Sequence, residues 1–191
     1  MEKLQKAISI IDDENRKDPN FEYVGDEKLP KEFLYSMRMS ERLKIFAPES
    51  SEIMKIAARG HHICRWEIPR TDFPNDRKGY LKWRIKLYSF HADKVSSILK
   101  DVGYEDKFID RVSAIIKKQS LNSDAEVQLL EDVICLVFLE HYFVDFARKH
   151  EDGKVLDIVK KTLLKMSDEG KKATMELELP EFTLTFLQKA L

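Results

Sequence analysis

Residues Asp124 to Arg148 read DAEVQLLEDVICLVFLEHYFVDFAR. Leu129, Leu136, Leu139, Phe143 and Phe146 recur along it at intervals built from threes and fours, which lays side chains along one line of an α-helix. Asp132 fills the remaining slot of that line. Val133 to Leu139 is apolar all round, the mark of a central helix rather than a surface one. At seven residues this is the longest uninterrupted apolar run, far short of the roughly 20 that a membrane-spanning helix needs.

The rest of the chain repeats the helical period. Helices are expected at about 81–102, 106–119 and 154–166, with a last short one from Pro180 and a short amphipathic one marked by Leu4, Ile8 and Ile11. Pro30 and Pro48 each suit the first position of a helix, where a missing N–H costs nothing. The helix after Pro48 carries Ile53, Ile56, Ala57, Gly60 and Cys64 on one side. Residues 15–29, with Pro19 and Gly25, read as a connector. Trp66 to Gly79, with Pro69 and Pro74, reads as a long loop, and loops of that length inside compact domains are more often functional than idle. No stretch alternates apolar and polar residues for long enough to predict a strand. The pattern predicts one all-α domain over 1–191, with about seven or eight helices. Within it, an N-terminal helix and connector occupy 1–29, and the core and C-terminal helices occupy 30–191.

Composition narrows the function classes. A hydrophobic fraction of 43% with 11 Phe excludes wholesale disorder. The balance of 33 basic against 34 acidic residues, a net charge of −1, argues against dedicated nucleic-acid binding, which needs an uncompensated basic surface. A local anion site remains open. Cys64 and Cys135 lie far apart in apolar surroundings and read as reduced, buried thiols. Met1-Glu2-Lys3-Leu4-Gln5 lacks the apolar core of a signal peptide, so a cytoplasmic location and no membrane partner are expected.

The informative positions are polar residues on apolar stripes. Besides Asp132, His91 lies in the stripe of Leu87, Val95, Ile98 and Val102, and His61 lies one turn after Ala57. His62 follows at once and would point about 100° round the same helix. An isolated buried carboxylate is costly and needs a metal, an Arg or Lys, or a proton. Inward-facing His61, His91 and Asp132 from three helices can converge, and imidazole plus carboxylate is a ligand set for Mn, Fe, Co, Ni or Zn. The plainer alternative makes each a hydrogen-bonded core residue.

Arginine is concentrated as well. Arg59, Arg65, Arg70, Arg77 and Arg84 are five of the ten arginines, whereas only Lys78 and Lys82 of the 23 lysines share their window. A surface needing only solvation would use the commoner lysine there. Arg offers a flat fork that grips phosphate or carboxylate through two hydrogen bonds. Trp66 and Trp83 flank the loop and are placed to stack on a base or an arginine. The alternative pairs these arginines with Glu67, Asp72 and Asp76 to pin the loop. Lys165-Met166-Ser167 is similar to a fragment of a class I aminoacyl-tRNA synthetase signature, but no Gly-rich turn after a strand accompanies it. Glu140, His141 and Asp145 read as a polar edge of the long helix.

Ala57-Ala58-Arg59-Gly60-His61-His62-Ile63-Cys64-Arg65-Trp66-Glu67-Ile68-Pro69-Arg70, Gly79-Tyr80-Leu81-Lys82-Trp83-Arg84, Phe90-His91-Ala92, Leu130 to Glu140 and Lys165-Met166-Ser167 together closely resemble the family termed domain of unknown function 4202. That resemblance covers most of the chain and brings no activity with it. More distantly, the motif order is similar to the HD superfamily of metal-dependent phosphohydrolases, which are all-helical. His61 matches the His of their His-Asp pair, and His62 stands where the Asp would be. Asp132 matches the later Asp, and His91 resembles an additional His of some members. No His occurs near Arg38 and Met39, where the first signature His would fall.

The resemblance implies an HD-like helical domain and a hydrolase acting on a small phosphorylated metabolite or nucleotide. His61, His91 and Asp132, with His62, would hold one divalent metal that activates water. Arg65, Arg70 and Arg84, with Trp66, would bind the substrate and neutralise its phosphate. Glu131 would serve as general base. The competing expectation is a catalytically inactive helical module in which the Arg/Trp loop binds a nucleotide, another anion or a protein. A third expectation makes that loop an oligomer interface.

Overall fold

The computed structural model describes residues 2–121 and 123–190. Its contacts gather into two compact units, 1–120 and 121–191. Helices dominate both, as the periodicity predicts, and ten α-helices occur among the described residues.

The first unit runs α1 (Glu2–Asn15), β1 (Phe21–Val24), β2 (Glu27–Pro30), α2 (Lys31–Phe46), α3 (Glu52–Gly60), α4 (Arg77–Val102) and α5 (Asp106–Ile116). The short helix α3 packs against α1, α2, α4 and α5. Ile56, Ala57 and Ala58 of α3 are fully buried, as are Ile11, Met39, Leu43, Leu99 and Ile115 of the helices it packs against. Each large apolar side chain in such a core contributes about 1.5–3 kcal/mol relative to its exposed state.

The expected connector before α2 is a hairpin. Strands β1 and β2 pair antiparallel with Val24 opposite Glu27. The two-residue turn Gly25-Asp26 places Gly25 at φ +60, the first central position where a II′ turn requires positive φ. Alternation failed as a signal because neither strand has a buried face: Phe21, Tyr23 and Val24 are all exposed. Pro30 ends β2 and occupies the cap position of α2, one residue before the place the sequence suggested. Pro48 lies in the turn ahead of α3, whose cap is Ser51, its hydroxyl accepting from the Met54 amide at 3.2 Å.

The expected loop at 66–79 is shorter and more ordered than its composition suggests. Two single 3₁₀ turns, Arg65–Glu67 and Arg70–Asp72, fill its first half, and α4 begins at Arg77 instead of about Leu81. Asp76 caps α4 by accepting from the Gly79 amide at 2.6 Å.

The second unit runs α6 (Ala125–Val137), a π-helical segment (Phe138–Tyr142), α7 (Phe143–Ala147), α8 (Asp152–Lys165), α9 (Asp168–Met175) and α10 (Glu181–Ala190). The single long helix expected over 124–148 is therefore divided by a wider π turn. Phe143, just beyond it, is fully buried, with edge contacts to Phe138 and Phe186 at 6.0 and 5.9 Å. Helix α6 packs against α8 and α9 and buries Val127, Leu130, Val133 and Leu136, so it is central to this unit. Lys165-Met166-Ser167 is a helix junction: Ser167 caps α9 by accepting from the Gly170 amide at 2.9 Å. Among the described residues no helix is long and apolar enough to cross a membrane.

Candidate functional site

Three histidines meet in the first unit because α3 stops where it does. At Gly60 a Cβ would lie 2.5 Å from Val95 Cγ2, so glycine allows α3 to approach α4 closely at that point. The helix ends there, one residue before His61. The chain then turns through Cys64, which adopts left-handed φ +52. That conformation costs a residue bearing a Cβ about 1–2 kcal/mol. It is held by buried Asn15 of α1, whose Oδ1 accepts from the Cys64 amide at 3.1 Å. Cys64 was expected on a helical face; it is instead the hinge of this turn, with its thiol buried and its pKa pushed up to about 12.

The turn changes where the imidazoles point. His61 and His62 do not splay round a helix; their rings stack with centroids 4.2 Å apart and an interplanar angle of 24°. Tyr35 of α2 stacks on the other neighbour, His62, at 4.3 Å and 16°. His91 of α4 lies 5.6 Å from His62, ring to ring. His91 Nδ1 lies 2.8 Å from the Ile63 carbonyl oxygen. A carbonyl can only accept, so Nδ1 carries the hydrogen and Nε2 of the neutral ring carries the lone pair.

Cations surround these rings. The Arg65 guanidinium lies 4.6 Å from the Trp83 ring centroid, and its Nε is 3.9 Å from Glu32 Oε1. Glu32 also reaches His62 Nδ1 at 3.5 Å. Arg84 lies two turns before His91 on α4 and donates to the hydroxyls of Tyr80 and Tyr88. Burial is the main cause that holds the pKa of His61 and His62 well below the ordinary value, and it holds His91 down to about 3. The charges of Arg65 and Arg84 depress all three further, and Lys118, just after α5, adds to the effect on His61. Glu32 shifts the other way: burial raises it to about 7, against the opposing pull of Arg65. These shifts favour the uncharged form of the rings and the protonated form of Glu32.

Three buried polar atoms in this cluster have no hydrogen-bond partner among the described residues: His61 Nδ1, His91 Nε2 and Arg65 Nη1. Orphaned atoms of this kind cost about 1–3 kcal/mol each unless something fills the gap.

The other residues singled out in the sequence lie elsewhere. Arg70 spends its guanidinium on the loop, donating to the Phe73 and Pro74 carbonyls, each at 2.8 Å, so the loop is pinned through backbone oxygens instead of carboxylates. Trp66 is half-buried on the first 3₁₀ turn; the indole against Arg65 is that of Trp83. Arg59 belongs to the frame, forking Asp12 at 2.6 and 2.7 Å.

Glu131 and Asp132 are both buried in the second unit. The Lys165 ammonium lies 3.8 Å from Glu131. Asp132 is met by uncharged hydrogen-bond donors. Its Oδ1 accepts from the Ser167 amide at 2.8 Å and from Gln128 Nε2 at 3.1 Å, and its Oδ2 accepts from the Ser167 hydroxyl at 2.6 Å. The metal set read from the sequence thus draws on both units. Among the described residues no group of three or more His, Cys, Asp or Glu side chains is arranged to hold a metal ion. Within the histidine cluster the donor chemistry is mixed: two imidazole nitrogens suit a divalent ion, while the nearby cations oppose one.

Trp83 stacks on an arginine, as the sequence suggested, whereas Glu32, Tyr35 and Lys118 belong to the site and escaped the sequence reading. Glu32 and Tyr35 share one face at i and i+3 of α2, but nothing in that spacing says which neighbours they meet.

A predominantly helical protein with a buried, cation-flanked histidine cluster is the class that this fold and site define. Over residues 5–186 the chain matches the family described as a domain of unknown function (DUF4202), and it belongs to that family. No curated protein and no solved structure matches it.

Proposed function

We propose that the first unit binds a small phosphorylated molecule at the cluster of His61, His62, His91, Arg65 and Arg84. The observation that carries this reading is that three buried polar atoms of this cluster, His61 Nδ1, His91 Nε2 and Arg65 Nη1, have no hydrogen-bond partner among the described residues. A phosphate offers several acceptor oxygens and up to two negative charges. Arg65 meets it as a donor from the start. The charge of the bound phosphate raises the imidazole pKa values, so His91 takes up a proton and turns Nε2 from acceptor into donor. Binding is thereby coupled to proton uptake. Trp83 and Tyr35 supply flat apolar faces suited to the remainder of a nucleotide.

Calorimetric titration with inorganic phosphate, a nucleoside monophosphate and a sugar phosphate tests this. At least one should bind one per chain, more tightly at pH 6 than at pH 8, and lose tenfold or more in affinity in Arg65→Met while Arg70→Met leaves it unchanged. Equal affinity in wild type and Arg65→Met would overturn the reading.

A metal-dependent phosphohydrolase is the second reading, and one observation favours it. His91 gives its Nδ1–H to a backbone carbonyl and keeps Nε2 open, the arrangement by which proteins orient metal-binding imidazoles. In that case His61 and His91, with His62 beside them, would hold the ion, which supplies an activated water. Elemental analysis of untagged protein purified without chelator decides between the two. Stoichiometric metal that is lost in His91→Ala supports the second reading, and its absence leaves the first.

A further inference from the structure

A cavity in the first unit lies away from the histidines, bounded by α1, α2, the turn after α2 and α3. Its volume is about 550 Å³, within the range of roughly 300–1,000 Å³ typical of small-molecule sites. The composition of its walls is graded. Along α1, Leu4, Ile8, Asp12 and Arg16 succeed one another at intervals of four and line it, so one helical edge passes from apolar to charged over about 18 Å. Leu43 and Pro48 extend the apolar part. Arg59 is tied to Asp12 by the paired hydrogen bonds already described, which fixes the polar end. Four cations line the cavity; Arg59 is paired with Asp12 and Arg16 lies 3.3 Å from Asp13, and Lys44 and Lys55 stand on its exposed rim. Ser50 also lines it, and its buried hydroxyl has no partner among the described residues.

We propose that this cavity binds an amphipathic anion, an apolar chain carrying one anionic head group. Leu4, Ile8, Leu43 and Pro48 take the chain. Lys44 and Lys55 attract the head group, and the Ser50 hydroxyl donates to it. Leu4 and Ile8, read from the sequence as the buried side of a surface helix, are only partly covered because they line this space. The proposal stands apart from the phosphate reading, since Arg16, Lys44, Lys55 and Ser50 have no part in the histidine cluster.

Dodecanoate below its micellar concentration is the probe, with dodecanol as the neutral chain and butanoate as the head group alone. Calorimetry on the full chain should show one saturable dodecanoate site, with dodecanol and butanoate each at least tenfold weaker. Ile8→Trp, which fills the cavity from a partly exposed position, should abolish binding. Lys44→Glu combined with Lys55→Glu on the exposed rim should weaken it tenfold or more while the circular dichroism spectrum is unchanged. Arg65→Met should bind dodecanoate as wild type does. Absence of saturable binding, equal affinity for dodecanol, or unchanged binding in the charge-reversed double variant would each overturn the proposal.

Discussion

His91 Nδ1 and the Ile63 carbonyl oxygen lie 2.8 Å apart, and this one hydrogen bond joins α4 to the turn that carries His61 and His62. It fixes the tautomer of His91 and leaves Nε2, buried and without a hydrogen-bond partner among the described residues, as the lone-pair nitrogen. It exists only because the chain turns sharply through Cys64 after Gly60. A local backbone device thus sets the chemistry of a ring on another helix.

The histidines should make the fold sensitive to acid. His91 has its pKa lowered from 6.5 to about 3, chiefly by burial, and His61 and His62 are lowered likewise. The unfolded chain therefore binds protons that the folded one refuses. This contribution to stability is intact above about pH 6.5 and falls as pH drops towards 3, by about 1.4 kcal/mol per pH unit for each fully buried ring. Urea unfolding at pH 7.5 and 5.0 checks it: wild type should lose stability over that interval, and His91→Gln should lose less. Equal losses would place His91 outside this effect.

Glu32 should act in the opposite direction. Its pKa rises from 4.5 to about 7 on folding, mainly through burial. The folded state holds this proton more tightly than the unfolded one, so ionisation opposes folding. The penalty is absent below pH 4.5, grows up to about pH 7 and is constant above it. Glu32→Gln should match wild type near pH 4.5 and exceed it at pH 8 by on the order of 3 kcal/mol, measured by the same unfolding experiment.

Gly60→Ala should separate α3 from α4. The new methyl would fall 2.5 Å from Val95 Cγ2, and overpacking of this kind costs about 1–3 kcal/mol. The loss should appear in thermal unfolding together with weaker phosphate binding, since His61 is the next residue. Gly153→Ala, where a Cβ meets nothing within 4 Å, should not impair stability.

Ser167→Ala should destabilise the second unit by more than an ordinary helix cap. Loss of the cap to Gly170 costs about 1 kcal/mol. The same hydroxyl also donates to Asp132, so a buried carboxylate oxygen loses its donor, at about 1–3 kcal/mol more. Denaturant midpoints of Ser167→Ala and Ser167→Thr separate the two possibilities: threonine keeps a hydroxyl and should recover much of the loss.

How much of this could be read from the sequence depends on which interactions are local. The threes and fours of Leu129, Leu136 and Leu139 revealed α6 because helical burial is periodic. The same periodicity ran on through Phe138 to Tyr142, where a π turn intervenes without a compositional mark. The hairpin at Phe21 to Pro30 was hidden because both its faces meet solvent. His61 and His91 stood out as polar residues on apolar stripes, and the structure brings them into one cluster with His62. Asp132 stood out for the same reason, yet its partners, Ser167 and Gln128, lie 35 residues away and one turn away. A stripe shows that a side chain is buried and does not show what satisfies it. Glu32 and Tyr35 were invisible because their significance comes from residues roughly 30 positions distant.

Phosphate bound at the histidine cluster should draw a proton onto His91 through its negative charge. The most direct measurement is nuclear magnetic resonance of protein labelled with nitrogen-15 at histidine, titrated with the tightest-binding phosphorylated ligand at pH 7. The account predicts that the His91 Nε2 resonance moves from the unprotonated to the protonated range as the site fills, with His61 shifting in step. Saturation of the ligand with the His61 and His91 ring nitrogens unmoved would contradict it.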